Sequence, residues 1–211
     1  MARRNAESYH ERRRQIIDGA LQVFANKGFE RATNRDIATA AGVASPGLIY
    51  HYFKDKADLF RQMVEERVPL LQLLAHPDEL EGLAPADALT RIGRAYLAIL
   101  DSPAALAVFR LLIGEAARHP RVAQMFNEVG PDRVLRFLTD YLGRQMDAGA
   151  LRRTDPAVAA RCFFSPLITF VLTREVFRQP EALALDPDTY LANTIDVFLR
   201  GMETQPPGKG D

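Results

Sequence analysis

The chain has 211 residues, 47% of them hydrophobic and 26% charged, with equal numbers of acidic and basic side chains. This composition supplies enough apolar surface for a packed core and excludes a disordered or collagen-like chain. A single cysteine, Cys162, excludes an intramolecular disulfide and a multi-cysteine metal site, and its place in the run Cys162-Phe163-Phe164 predicts a buried structural thiol. The zero net charge hides an asymmetry: residues 1–61 hold 11 basic against 7 acidic side chains, and the other 150 residues hold 16 against 20. A basic N-terminal section on an acidic body points to a module that binds a polyanion.

The N-terminus, MARRNAESYHERRR, is polar and lacks the apolar segment of a secretory signal. Arg3, Arg4, Arg12, Arg13 and Arg14 there read either as an arm that reaches phosphates or as a solvated helix start. Ile16, Ile17, Ala20, Leu21 and Phe24 form one face of a first helix, which Gly28 ends. Thr33 is placed to N-cap a second, short helix, with Asp36 three residues on as its capping-box partner and Ile37, Ala38 and Ala41 as its apolar stripe. Gly42 supplies a turn, and Ser45-Pro46 restarts the chain as N-cap and first helical residue. In the third helix Leu48 and Ile49 face inward, while Tyr50, His51 and Tyr52 face outward. This is the layout of a helix-turn-helix whose second member enters the major groove.

The run I-A-x-x-A-G-V…G-L-I-Y-H-Y-F-K-D-K-A-D-L-F resembles the DNA-binding motif of the TetR (tetracycline-repressor) family of bacterial transcription regulators over residues 10–66. Gly28, Thr33, Ile37, Ala38, Gly42, Val43, Gly47, Tyr50, Phe53, Lys56 and Leu59 carry the match in order. One residue is extra: Gly42 to Tyr50 spans eight positions where seven is the family's common spacing, and the insertion falls in Ala44-Ser45-Pro46. The resemblance implies an all-α fold: a three-helix DNA-binding domain over 1–66 and a larger helical ligand-binding and dimerisation domain over 67–204; the tail QPPGKGD, 205–211, can bury nothing and is expected to be disordered. It also implies that Tyr50 matches the tyrosine that reaches the phosphate backbone and that Lys56 matches the lysine at the start of the next helix, both as DNA-binding residues.

Beyond the motif, a helix from Lys56 places Leu59, Phe60, Met63 and Val64 inward, and Pro69 kinks or ends it. Residues 75–84 read as a loop. Further helices are predicted near 85–100, 103–118, 121–128, 131–148, 156–178 and 187–202, most of them opened by a proline at the first helical position. No segment alternates long enough to require a strand. The longest uncharged apolar run, Cys162 to Thr173, is 12 residues, less than a bilayer needs, so a cytoplasmic chain without a membrane partner is expected.

Three groups of candidate residues follow. For double-stranded DNA they are Thr33, Asn34 and Arg35 at a helix start, Ser45, Pro46 and Gly47 where small side chains let the backbone approach base edges, and Tyr50, His51 and Lys56. For a small-molecule effector they are Tyr96, Phe109, Arg110, Phe126, Phe137, Tyr141 and Phe163, an aromatic set that can equally be plain core. For a homodimer, which would match a palindromic operator, they are Leu167, Phe170, Val171, Leu191, Ile195 and Phe198 on the last two long helices. Ligand binding would then shift the dimer between states that fit and do not fit the operator, with the helix from Lys56 transmitting the change. No cofactor is expected and no metal: His10, His51, His76 and His119 are scattered without ligand spacing, which leaves an all-helical enzyme little support. A ligand-independent architectural DNA-binding protein is the remaining alternative.

Overall fold

The computed structural model describes residues 2–204, with side chains from Tyr9 onward, so the predicted tail 205–211 and the side chains of Arg3 and Arg4 lie outside the described residues. In chain order the helices are α1 (Ala2–Lys27), α2 (Asn34–Ala40), a 3-10 helix (Pro46–His51), α3 (Lys56–Arg67), α4 (Pro69–Leu73), α5 (Asp78–Glu81), α6 (Pro85–Leu97), a second 3-10 helix (Ala98–Asp101), α7 (Pro103–Ala116), α8 (Pro120–Val129), α9 (Pro131–Asp147), α10 (Pro156–Glu175), α11 (Pro180–Ala184) and α12 (Pro187–Gly201). No strand occurs among the described residues. Most boundaries follow the predicted breakers. Proline opens α6 to α12 because its missing N–H would have no partner in a first turn. Pro69 does more than end a helix: Val68 is held extended before it, and Pro69 itself starts α4. The predicted loop 75–84 contains α5, pinned by the buried Leu80.

The chain forms two compact units, and both are discontinuous. The first comprises residues 1–68 and 102–130, the second 69–101 and 131–211. The chain leaves the first unit after residue 68, and residues 102–130 return to it. The cause is apolar area. A three-helix head of this size leaves faces of α1 and α3 open; α7 packs against both, and α8 against α3. Ile16, Ile17, Phe24, Ile37, Ile49, Phe53, Phe60 and Met63 form its interior, with Val108, Leu112 and Val122 buried on the returning helices.

In the second unit α10 packs on α9, α12, α11 and α6, and α12 packs on α6. Leu89, Ile92, Leu138, Tyr141, Leu142, Phe163, Leu167 and Val171 are fully buried there. By length and composition alone α10 could cross a bilayer, with a mean hydropathy of 1.5 over 18 residues. Its most apolar stripe is instead packed inside this unit, as in the core helix of a globular domain.

Candidate nucleic-acid interface

The α2 start is built as the sequence predicts. The Asp36 amide donates to the Thr33 hydroxyl (3.2 Å), the Asp36 carboxylate accepts the Thr33 amide (3.1 Å), and Lys27 donates to the same carboxylate (2.6 Å). The Lys27 ammonium, then the Thr33 hydroxyl and amide, hold the Asp36 carboxyl at about 2, below its ordinary 3.8. Asp58 accepts the Lys54 amide and the Gln62 side chain. Arg35 is exposed and has no carboxylate partner among the described residues. Thr33 is exposed beside it and Asn34 half-buried.

The turn between the two members needs the left-handed region at Gly42, where φ is +64°, and the Val43 amide closes it on the Ala38 carbonyl (3.0 Å). The element that follows is a tight 3-10 helix of six residues rather than an α-helix. Ser45, Pro46, Gly47, Tyr50 and His51 are all exposed on it, Tyr50 by 61%. Ile49 (1% exposed) and Phe53 (2%) anchor the opposite side. Ser45 takes the N-cap backbone conformation without using its side chain as a cap. Tyr52 packs against Tyr9 of α1 with ring centroids 4.7 Å apart. The sequence reading missed that pairing, since no local pattern links positions so distant along the chain.

Lys56 is placed otherwise than the sequence reading had it. Its ammonium donates to the carbonyls of Phe29 (2.8 Å), Ala32 (3.0 Å) and Glu30 (3.2 Å) and sits 4.6 Å from the Phe29 ring centroid. Three donors meet three acceptors, so in the DNA-free chain the ammonium is fully engaged by the turn. Arg13 is likewise used inside the unit: it donates to Gln62 (2.5 Å), pairs with Glu66 and lies over the Phe53 ring. Arg14 is the exposed arginine of that cluster.

In the second unit the aromatic candidates divide. Tyr141 is fully buried and its hydroxyl donates to the Leu83 carbonyl (2.7 Å); Phe163 is fully buried against Phe198, so both serve as core. Tyr96 is half-buried, edge-on to Phe164 at 4.9 Å; burial pushes its phenol well above the usual range, and its hydroxyl has no hydrogen-bond partner among the described residues. Phe137 is half-buried, and its ring stacks on that of Tyr141 at 6.1 Å. Phe109, Arg110 and Phe126 belong to the first unit, where Phe109 is buried, Phe126 half-buried and Arg110 exposed.

The proposed dimer residues need correction. Leu167, Phe170, Val171, Leu191 and Ile195 are all less than 9% exposed within the chain itself, so their side chains are spent on the unit's own core. On α10 and α12 the strongest apolar stripes face inward, toward the unit's own helices. The outward side carries Val158 (54% exposed) and Val197 (71%). Between these helices lies a groove of about 420 Å³ lined by Cys162, Pro166, Tyr190, Asn193, Thr194, Val197 and Phe198. Of the predicted set only the half-buried Phe198 reaches it. Cys162 is exposed in this groove, not a buried thiol.

Residues 16–63 match the profile of bacterial regulatory proteins of the tetR family, and residues 87–201, more than half of the chain, match that of the C-terminal domain of AefR-like transcriptional repressors. The chain belongs to the TetR family. It is a DNA-binding transcriptional regulator. This TetR-family chain is 32% identical over 164 residues to the HTH-type transcriptional repressor Rv1474c of Mycobacterium tuberculosis, covering 77% of this chain and 81% of that one. It is 34% identical over 105 residues to the HTH-type transcriptional regulator AcrR of Shigella flexneri, covering 48% of this chain and 46% of that protein. The fold is shared with FadR of Bacillus subtilis, solved in complex with stearoyl-CoA (TM-score 0.69, 22% identity, 90% of this chain and 98% of that chain). It is also shared with NalD of Pseudomonas aeruginosa (TM-score 0.68, 24% identity, 92% and 97%).

Proposed function

We propose that this regulator is a repressor that binds a palindromic operator as a homodimer and is released when a small apolar or amphiphilic effector binds its second unit. One observation carries the DNA part: Ser45, Pro46, Gly47, Tyr50 and His51 are exposed together on an element whose other side is locked by Ile49 and Phe53. Small residues at its start let backbone amides approach base edges, while the Tyr50 hydroxyl and the unpaired Arg35 suit phosphate oxygens. Lys56 takes no part in contact and instead braces the turn before α2.

A single six-residue reading element is too small for specificity, and a two-fold dimer doubles it. The surface offered for this is the α10–α12 groove face, where Val158, Val197 and Phe198 expose apolar area beside Asn193 and Thr194. Tyr96, with an unpartnered phenol beside the Phe164 ring, is the effector anchor in this reading. Effector binding then acts by population shift between two dimer states.

Selection from random-sequence DNA by the purified protein tests the reading. Recovery of a two-fold palindrome, with a salt dependence of several phosphate contacts, supports it. Salt-sensitive binding without sequence enrichment replaces it with the architectural alternative.

A further inference from the structure

We propose that Glu115, on α7 and outside the helix-turn-helix, is a positioning residue for DNA reading: it fixes the α1–α2 turn from which α2 and the 3-10 helix are hung. This inference rests on the DNA-reading proposal above.

The turn is held at Phe29 from three directions within the first unit. The Phe29 amide donates to the Glu115 carboxylate (2.9 Å), and the Phe29 carbonyl accepts from Lys56 of α3 (2.8 Å). The Phe29 ring packs against Phe24 of α1 (5.5 Å) and Phe60 of α3 (5.1 Å). Of these ties, only the one to Glu115 comes from outside residues 1–68.

The site is also shaped for that carboxylate. Gly28 has φ +76°, and a Cβ there would sit 2.7 Å from one Glu115 oxygen and 2.9 Å from the other. Gly28 thus ends α1 in a left-handed conformation and leaves the space that the carboxylate fills. A charge-assisted hydrogen bond in a partly buried place is among the stronger ties that a turn can have. Four residues after Phe29 the chain reaches Thr33, whose capping box sets the start of α2. The position of α7 is therefore read directly by the segment that aims Arg35 and, through Gly42, the exposed row from Ser45 to His51.

The test uses the full chain with the operator recovered by selection, comparing Glu115→Ala, Glu115→Asp and Glu115→Gln. Asp is too short to reach the Phe29 amide, whereas Gln keeps a carbonyl acceptor of the same reach. We expect Ala and Asp to lose about tenfold or more in operator affinity at unchanged helical content, and Gln to stay within about threefold of the parent. Amide hydrogen exchange at Phe29, read without DNA, should speed up in the Ala and Asp variants and not in the Gln variant. Wild-type affinity in Glu115→Ala, or wild-type exchange at its Phe29 amide, overturns the assignment. So does a loss of affinity that only tracks the fraction of unfolded protein. A parent chain that selects no sequence is a different result, and it sinks the DNA-reading proposal itself.

Discussion

Gly19 lies in the middle of α1, where an alanine would ordinarily strengthen a helix by about 1 kcal/mol. Here the added methyl has nowhere to go. A Cβ at Gly19 would stand 2.7 Å from the Ala41 nitrogen and 2.9 Å from both the Ala41 Cα and Cβ. These are backbone and stub atoms at the C-cap of α2, not the far end of a flexible side chain. Carbon contacts settle at about 3.5–4.0 Å, so α2 must retreat from α1 by roughly 0.6–1.1 Å. Overpacking of this kind costs about 1–3 kcal/mol, which against the propensity gain leaves a net loss of about 0–2 kcal/mol. The larger effect should be on function. Ala41 is followed directly by the turn at Gly42, so the retreat re-aims the 3-10 helix, and operator affinity should fall by more than the small stability loss explains. The control is Gly114→Ala on α7, where a Cβ meets nothing within 4 Å and the change should be neutral or stabilising. Denaturant unfolding and operator titration of both variants decide the matter. A Gly19→Ala protein that is stabilised by about 1 kcal/mol and binds operator normally would refute the argument from close approach.

Further outcomes follow from other contacts. Lys56→Met should destabilise the fold by about 2–3 kcal/mol in denaturant melts, since three carbonyls lose a charged donor, while leaving the salt dependence of operator binding unchanged. Arg35→Ala should do the reverse, reducing the salt slope by about 1 with little change in stability. Val197→Arg on the groove face should leave the melting curve near that of the parent and shift sedimentation to the monomer; Cys162 should then react faster with a thiol reagent. A dimer that survives this substitution would rule out that face. The Lys27 ammonium, with the Thr33 hydroxyl and amide, holds the Asp36 carboxyl at about 2 against its ordinary 3.8. Its contribution is therefore complete above about pH 4 and lost as pH falls toward 2, and Asp36→Asn should flatten that part of a melting-versus-pH profile.

The helix-turn-helix was legible because its determinants are local. Thr33 and Asp36 sit at capping-box spacing, and Gly28 and Gly42 occupy the positive-φ positions that helix ends demand. Lys56 was not legible, since its acceptors lie 24 to 27 residues upstream and are carbonyls, which any sequence supplies. Leu167, Phe170 and Leu191 illustrate a second limit: apolar periodicity tells which face of a helix is buried but not whether its own chain or another covers it. The outward face of α10 and α12 is marked by isolated residues, Val158 and Val197, too sparse to stand out in a pattern. The return of residues 102–130 to the first unit has no signature either, because α7 and α8 read as ordinary amphipathic helices whichever unit they join.

That return has a consequence for how the protein is made. During synthesis the helix-turn-helix leaves the ribosome first, yet the helices that cover α1 and α3 arrive only when the chain has been extended to Gly130. Until then residues 1–68 hold open apolar faces, and Phe29 lacks the carboxylate that ties its amide. The DNA-reading end, though first in the sequence, is finished late, after the stretch 69–101 that belongs to the other unit has already been made. A graft of residues 1–68 onto another body would for the same reason carry an unfinished part, whereas an exchange that keeps 102–130 with it transfers the whole.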